Sequence, residues 1–226
     1  VHNIVGTRST LPILYNVLID ARKKEVYLAT TDLDLSIRCQ IDATVLKAGS
    51  TTLPVRRLAN IVRELPETMI ELETDEKHIS TLVCNSSHYK IVGITDDEFP
   101  PSAKADGKYS YRIDQGVFKE MLRKVSYATS VDETRYVLNG VFLSFKSGKL
   151  VMVATDGRRL ALVEHEMEFP KESEIDMILP TKTVAELLRS IGDEGEMNIH
   201  AKENTVMFEF RNITITSKLI EGTYPN

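Results

Sequence analysis

Carboxylates and imidazoles are where a nucleophile, a general base or a metal centre would be found, because such sites need those groups at close, defined spacing. Asp32 and Asp34 flank one residue in Thr31-Asp32-Leu33-Asp34, and Asp96-Asp97-Glu98 stand together just before Phe99-Pro100. Either set could offer oxygens to a divalent cation. Neither adjoins a glycine-rich phosphate loop, and the second has the composition of an acidic turn. The five histidines, His2, His78, His88, His165 and His200, lack the His-x-x-x-His or Glu-x-x-His spacing that would set two ligands on one helical face. Nucleophile-elbow, Walker-type and dinucleotide motifs are absent from the sequence. These groups read as surface residues, and no catalytic residue, metal site or cofactor is expected.

The basic residues are better organised. Arg56, Arg57 and Arg63 follow Pro54, Lys182 and Arg189 follow Pro180, and Lys119, Arg123 and Lys124 follow Asp114. In each segment apolar residues recur at helical spacing, so the basic side chains are expected to face outward. A solvated helix face explains that pattern by itself. The acidic residues, however, concentrate elsewhere, at Glu64 and Glu67, at Asp96 to Glu98 and between Glu164 and Glu174. A chain of net charge -5 can therefore still present local positive faces to phosphate.

Those helices belong to an internal repeat. The segment Leu53-Pro54-Val55-Arg56-Arg57-Leu58-Ala59 through Leu65 lies over Leu179-Pro180-Thr181-Lys182-Thr183-Val184-Ala185 through Ile191, an offset of 126. Upstream, Ile13-Leu14 through Thr31-Asp32 lies over Val137-Leu138 through Thr155-Asp156 at an offset of 124, and Phe99-Pro100 meets Tyr224-Pro225 at 125. Three blocks in order at nearly constant spacing define two domains of roughly 110 residues each. Pro100 to Lys108 is the Pro/Gly/Ser-rich connector, which puts the boundary between residues 1–107 and 108–226.

Within the second copy, Asp114 caps a predicted helix from Gln115 to Val125, with Phe118, Met121, Leu122 and Val125 on its apolar stripe. Predicted strands follow at Val141 to Phe145, Leu150 to Ala154 and Leu160 to Glu164. A second helix opens at Pro180, and strands at Val206 to Phe210 and Ile213 to Leu219 close the unit. Short hairpin loops make the sheets antiparallel. The first copy shows the same plan from residue 1, which corresponds to about Val125, so its opening helix is expected to be lacking. Apolar runs fall short of the roughly 18 residues of a membrane span. Cys39 and Cys84 have no metal-ligand spacing, which fits a reduced, cytoplasmic setting.

The stretch Ala154-Thr155-Asp156-Gly157-Arg158-Arg159-Leu160-Ala161 closely resembles the bacterial DNA polymerase III beta subunit family of sliding clamps. So do Arg135-Tyr136-Val137-Leu138-Asn139-Gly140 before it and Lys218-Leu219-Ile220-Glu221-Gly222-Thr223-Tyr224-Pro225 after it. Thr10-Leu11-Pro12-Ile13-Leu14 and both Leu-Pro helix openings extend the resemblance over essentially the whole chain. It implies an α+β DNA-clamp fold, with tandem domains each built of two helices packed on antiparallel sheets. It also implies a non-catalytic processivity factor that encircles duplex DNA as a ring of two subunits.

On this resemblance the chain holds the first domain without its N-terminal helix, and the second domain, while a third domain is absent; alone it does not close the ring. The DNA-facing residues implied are Arg8, Arg56, Arg57, Arg63, Lys119, Arg123, Lys124, Arg135, Tyr136, Lys182 and Arg189. A pocket formed by Leu138, Thr155, Gly157, Arg158, Arg159, Leu160 and Pro225 is implied to receive short peptides of the polymerase III alpha subunit, the clamp loader and repair polymerases. Arg158 departs from the histidine common in that motif, which bears on the pocket's polar contacts. A different class of reading is a two-domain hydrolase using Asp32 and Asp156. Their equivalence by duplication argues against it, since an active site rarely needs both copies of a hairpin corner.

Overall fold

A computed structural model describes residues 4–5, 11–101 and 107–225 of the chain. The chain forms two compact units, Val1–Ser102 and Ala103–Asn226.

In the first unit, β1 (Asn16–Arg22), β2 (Glu25–Thr31) and β3 (Leu35–Asp42) form an antiparallel meander, and β4 (Gly49–Pro54) returns along the other side of β1, giving the order β4-β1-β2-β3. The chain turns straight from β4 into α1 (Val55–Glu64), with Pro54 at the N-cap. Val55 is buried, and Leu58 and Ile61 pack on a core of Val17, Ile19, Leu53 and Ile91. A second, three-stranded sheet has the order β5 (Glu71–Thr74), β6 (Ile79–Cys84), β7 (Ser87–Val92).

The second unit repeats this arrangement. Strands β9 (Gly140–Lys146), β10 (Lys149–Thr155), β11 (Leu160–Glu166) and β12 (Ile175–Pro180) take the order β11-β10-β9-β12, and α3 (Thr181–Ser190) leaves β12 with Pro180 at its N-cap. Both prolines thus stand one place before the first helical residue. There they end a strand at the sheet edge and leave the ladder without needing an N–H. Strands β13 (Glu196–Ala201), β14 (Thr205–Phe210) and β15 (Ile213–Lys218) follow, with β8 (Tyr109–Asp114) beside β13.

Between β8 and β9 lies α2 (Gln115–Ser126), which buries Phe118, Met121, Leu122 and Val125, the stripe read from the sequence. Asp114 Oδ1 accepts the Val117 N–H at 3.0 Å, the expected cap. Gln115 is buried and ties this end of the helix to the turn before β13. Its Nε2 donates to the Glu194 carbonyl at 3.1 Å and its Oε1 accepts the Gly192 N–H at 3.1 Å. The next residue must be glycine, because a Cβ at Gly116 would stand 2.4 Å from the Asp193 carbonyl oxygen. Phe118 of α2 meets Phe208 of β14 with ring centroids 5.9 Å apart, so the helix is seated on the sheet through large apolar groups. Neither β8 nor α2 has a counterpart among the described residues of the first unit.

Candidate functional site

The corner between β10 and β11 is built by a single carboxylate and a single hydroxyl. Asp156 Oδ1 accepts the N–H groups of Arg158 at 2.9 Å and Arg159 at 3.0 Å. Thr155 Oγ1 accepts the Gly157 N–H at 3.0 Å and donates to the Arg159 carbonyl at 2.7 Å. The backbone N–H of Arg158, then that of Arg159, holds the Asp156 carboxyl below its ordinary range, since both donate to the charged form. Gly157 sits at φ +85, a left-handed conformation that L side chains rarely adopt.

The first unit makes the same corner. Asp32 Oδ1 accepts from Asp34 and Leu35 N–H at 3.0 and 2.8 Å, and Thr31 Oγ1 accepts from Leu33 N–H at 3.0 Å. Leu33 occupies the left-handed position, with φ 79. The two aspartates are therefore turn-forming groups in both copies, Oδ1 of each accepting from its own backbone. A shared turn thus accounts for the equivalence of Asp32 and Asp156 in the two copies.

What differs between the corners separates fold from function. The shared Thr-Asp pair is structural. At the next four positions Leu33, Asp34, Leu35 and Ser36 are replaced by Gly157, Arg158, Arg159 and Leu160. Leu35 is buried, whereas Arg158, Arg159 and Leu160 are exposed, Leu160 to 63%. The second corner thus presents a cationic surface that its twin, where Leu33 is 46% exposed, lacks.

Several elements converge on it. Tyr224 is buried, stacks on Phe142 with centroids 5.2 Å apart, and accepts the Thr155 N–H on its hydroxyl oxygen at 2.9 Å. Burial pushes the Tyr224 hydroxyl above its ordinary pKa, so it remains a neutral phenol. Leu138, 7% exposed, joins Ile178 and Tyr224 in one apolar cluster, with Val137, Phe142, Val153 and Ile220 packed against it. Leu138 is therefore mainly core, a floor beneath the surface, and Pro225 is exposed beside Tyr224. Arg159 is pinned three ways: Nε to Asp156 Oδ2 at 3.1 Å, Nη2 to the Tyr127 carbonyl at 2.8 Å, and its guanidinium 5.5 Å from the Tyr127 ring centre. Of the residues expected of the peptide pocket, Thr155, Gly157, Arg158, Arg159 and Leu160 form this corner, Leu138 lies in the apolar cluster with Tyr224, and Pro225 follows Tyr224 in the chain.

The residues expected to face DNA are less uniform. Arg56, Arg57 and Arg63 of α1, Arg123 and Lys124 of α2, and Lys182 and Arg189 of α3 are exposed. Arg57 Nη2 donates to the Lys90 carbonyl at 3.1 Å, Lys124 pairs with Glu120 at 2.6 Å, and Arg189 pairs with the buried Glu186. Lys119 departs from expectation. Its side chain is only 12% exposed and its ammonium meets Asp193 Oδ1 at 2.7 Å, so it does not project freely to solvent. The residue lies on the flank of α2 that faces the turn after α3, a neighbour 74 positions away that helical periodicity cannot reveal.

Arg135 and Tyr136 lie in the 3-10 turn Glu133–Leu138 and are exposed. Arg135 Nη1 reaches the Asp156 carbonyl at 3.5 Å, and a Cβ at Gly222 would lie 3.4 Å from the Tyr136 hydroxyl. Arg135 thus borders the corner just described, while Tyr136 lies beside Gly222. Arg8 lies outside the described residues. Sequence reasoning did not rank Tyr224, Tyr127 or Arg135 as pocket residues. The recurrence of an aromatic-proline pair at Phe99-Pro100 and Tyr224-Pro225 was the available signal for the first of them.

Residues 112–226 match the family profile described as DNA polymerase III beta subunit, central domain, and residues 1–103 match that of its N-terminal domain. Among curated relatives, the beta sliding clamp of Chlamydia trachomatis serovar D is 32% identical over 226 residues, covering 100% of this chain and 54% of that protein. That of Staphylococcus aureus is 31% identical over 231 residues, covering 98% of this chain and 61% of that protein. A crystal structure of a sliding clamp (DNA polymerase III subunit beta) from Bartonella birtlesii bound to griselimycin matches with a TM-score of 0.94 at 35% identity. That match covers 100% of this chain and 62% of that one. The sliding clamp of Bacillus subtilis matches with a TM-score of 0.92 at 27% identity, covering 99% of this chain and 61% of that one. The chain thus spans between 54% and 62% of the length of these relatives.

Proposed function

This chain belongs to the DNA polymerase III beta subunit family, and from that premise we propose that it serves as part of a DNA sliding clamp. Such a clamp is a ring of two subunits around duplex DNA that tethers the replicative polymerase and other proteins by short peptides. The chain has no catalytic role in this reading and acts in the cytoplasm, where the chromosome is copied.

The observation that carries the reading is the β10–β11 corner. It presents an exposed leucine, the Tyr224 that accepts the Thr155 N–H joins Leu138 in an apolar cluster, and Arg158 and Arg159 add cationic surface that the twin corner of the first unit lacks. An apolar anchor ringed by a few polar groups is the usual form of a peptide hot spot. Leu160 and Pro225 supply the anchor surface, while the Arg158 side chain and the pinned Arg159 offer charge to acidic or carbonyl groups of the peptide. Gly157 keeps the turn free of a side chain.

The exposed cations of α1, α2 and α3 suit the other half of the task. A clamp has to slide, so its DNA contacts must be numerous, weak and indifferent to sequence, which phosphate contacts are. Arg56, Arg57, Arg63, Arg123, Lys124, Lys182 and Arg189 are assigned to that face. Lys119 is left out because its side chain is only 12% exposed and is held on Asp193.

The test is a fluorescence-anisotropy titration of a short polymerase peptide, carrying a leucine and an aromatic anchor, against the chain and its Leu160→Asp variant. Binding is expected to be lost while the thermal melt is unchanged. Equal affinity for the two proteins would overturn the assignment.

A further inference from the structure

Helix α2 ends at Tyr127, its C-cap residue. Val125 and Ala128, close by on either side, are fully buried, so the backbone here is held in place, yet Tyr127 is 60% exposed. The last carbonyls of a helix have no partner within it. At this end three of them are satisfied in turn. The Val125 carbonyl accepts the Ala128 N–H at 2.9 Å, and the Ser126 carbonyl accepts the Thr129 hydroxyl at 2.9 Å. The Tyr127 carbonyl accepts from Arg159 Nη2 at 2.8 Å, and the negative end of the helix favours a cation at that place.

The Tyr127 ring acts on the same group. The Arg159 guanidinium lies 5.5 Å from the ring centre, within the range of a cation–π attraction. Asp156 Oδ2 holds Nε at 3.1 Å. These contacts use the N–H of Nε and one N–H of Nη2. They leave both on Nη1 and the second on Nη2 without a partner among the described residues. The two terminal nitrogens form the edge of a guanidinium that meets carboxylate or carbonyl oxygens as a fork. Arg158 gives the contrast, since its side chain is exposed and has no partner among the described residues.

We propose that Tyr127 is a positioning residue of the peptide site: its ring and carbonyl hold the Arg159 guanidinium so that the Nη1–Nη2 edge is ready for an oxygen of the bound peptide. The proposal rests on the clamp reading above. It adds to the β10–β11 corner a residue from the end of α2, 32 positions away from Arg159 in the chain. A guanidinium fixed before the peptide arrives has less rotamer freedom to lose on binding, so the contact it makes is worth more.

The test is a double-mutant cycle on the affinity of the short polymerase peptide, read by fluorescence anisotropy, with a thermal melt of each protein. Tyr127→Ala keeps the backbone carbonyl and removes the ring. It should weaken binding roughly two- to fivefold while the melt stays in place. Tyr127→Phe keeps the ring and should bind as the parent chain does. In an Arg159→Ala background there is no guanidinium to hold, and Tyr127→Ala should change nothing further. Affinity unmoved by Tyr127→Ala, or a loss that Tyr127→Phe does not rescue, would overturn the proposal. So would an equal loss with and without Arg159, which would make Tyr127 a direct contact of the peptide. A parent chain that binds the peptide, loses it on Leu160→Asp and is indifferent to Tyr127→Ala refutes this inference alone. A parent chain that binds no peptide refutes the clamp reading with it.

Discussion

Truncating two leucines of the same corner should separate its contact surface from its support. Leu160 is 63% exposed, so about six tenths of the 1.5–3 kcal/mol released on fully burying a leucine is still available to a ligand. Leu160→Ala should therefore cost about 1–2 kcal/mol of peptide binding, roughly 5- to 30-fold in Kd, if the peptide covers the side chain. In the free protein the same change removes little buried surface, and stability should move by less than about 0.5 kcal/mol. Leu138 is the opposite case. It is 7% exposed and packed with Ile178 and Tyr224. Leu138→Ala should cost about 2–5 kcal/mol of stability, because a cavity is left beneath the corner. Isothermal titration of a clamp-binding peptide, alongside thermal melts of both variants, reads the two effects separately. The reasoning fails if Leu160→Ala binds the peptide as tightly as the parent chain, or if it melts as early as Leu138→Ala.

Tyr224→Phe keeps the stack on Phe142 but leaves the Thr155 N–H without its acceptor. It should destabilise the second unit by about 1–2 kcal/mol in chemical denaturation, and no change would mean that water replaces the hydroxyl at no cost. Leu33 holds a left-handed conformation, as Gly157 does in the other unit. Leu33→Gly should accordingly be neutral or stabilising by up to about 1 kcal/mol, in contrast to most glycine substitutions, and a clear loss in a denaturation curve would contradict the strain argument. Asp156 and Asp132 both have carboxyls held below their ordinary value of 3.8, Asp156 by N–H donors of its own turn and Asp132 by Thr134. Their contribution to stability is present above that value and is lost as pH falls through the depressed one. The melting temperature should drop across that acidic range, and Asp156→Asn should shrink the drop; an unchanged acid limb would count against the assignment.

Much of the fold could be read from local patterns. The stripe Phe118, Met121, Leu122 and Val125 with Asp114 before it specified α2, since periodicity and capping act within a few residues. Lys146-Ser147-Gly148-Lys149 specified the β9–β10 hairpin, where Ser147 and Gly148 have φ 53 and φ 71, as a tight hairpin turn requires. The duplication also made Asp32 and Asp156 equivalent, and the structure explains why both copies keep an aspartate: each closes its own turn.

Other features were not legible because their causes lie far apart in sequence. Nothing near Lys119 announces Asp193, and nothing in Arg135 announces the Asp156 carbonyl. The 3-10 turn Glu133–Leu138, which carries Arg135 to the corner, has too few residues to show a period. The residue types and the repeat determined by themselves which segments become helices and strands, and which corner of the duplicated pair carries an arginine pair and a leucine. Tertiary structure decided which of those side chains reach the surface. Leu160 stands exposed while Leu138 is buried, Arg158 is exposed while Lys119 is mostly covered and held on Asp193, and Tyr224 arrives from the far end of the unit to hold Thr155. Burial and pairing depend on neighbours that only folding brings together.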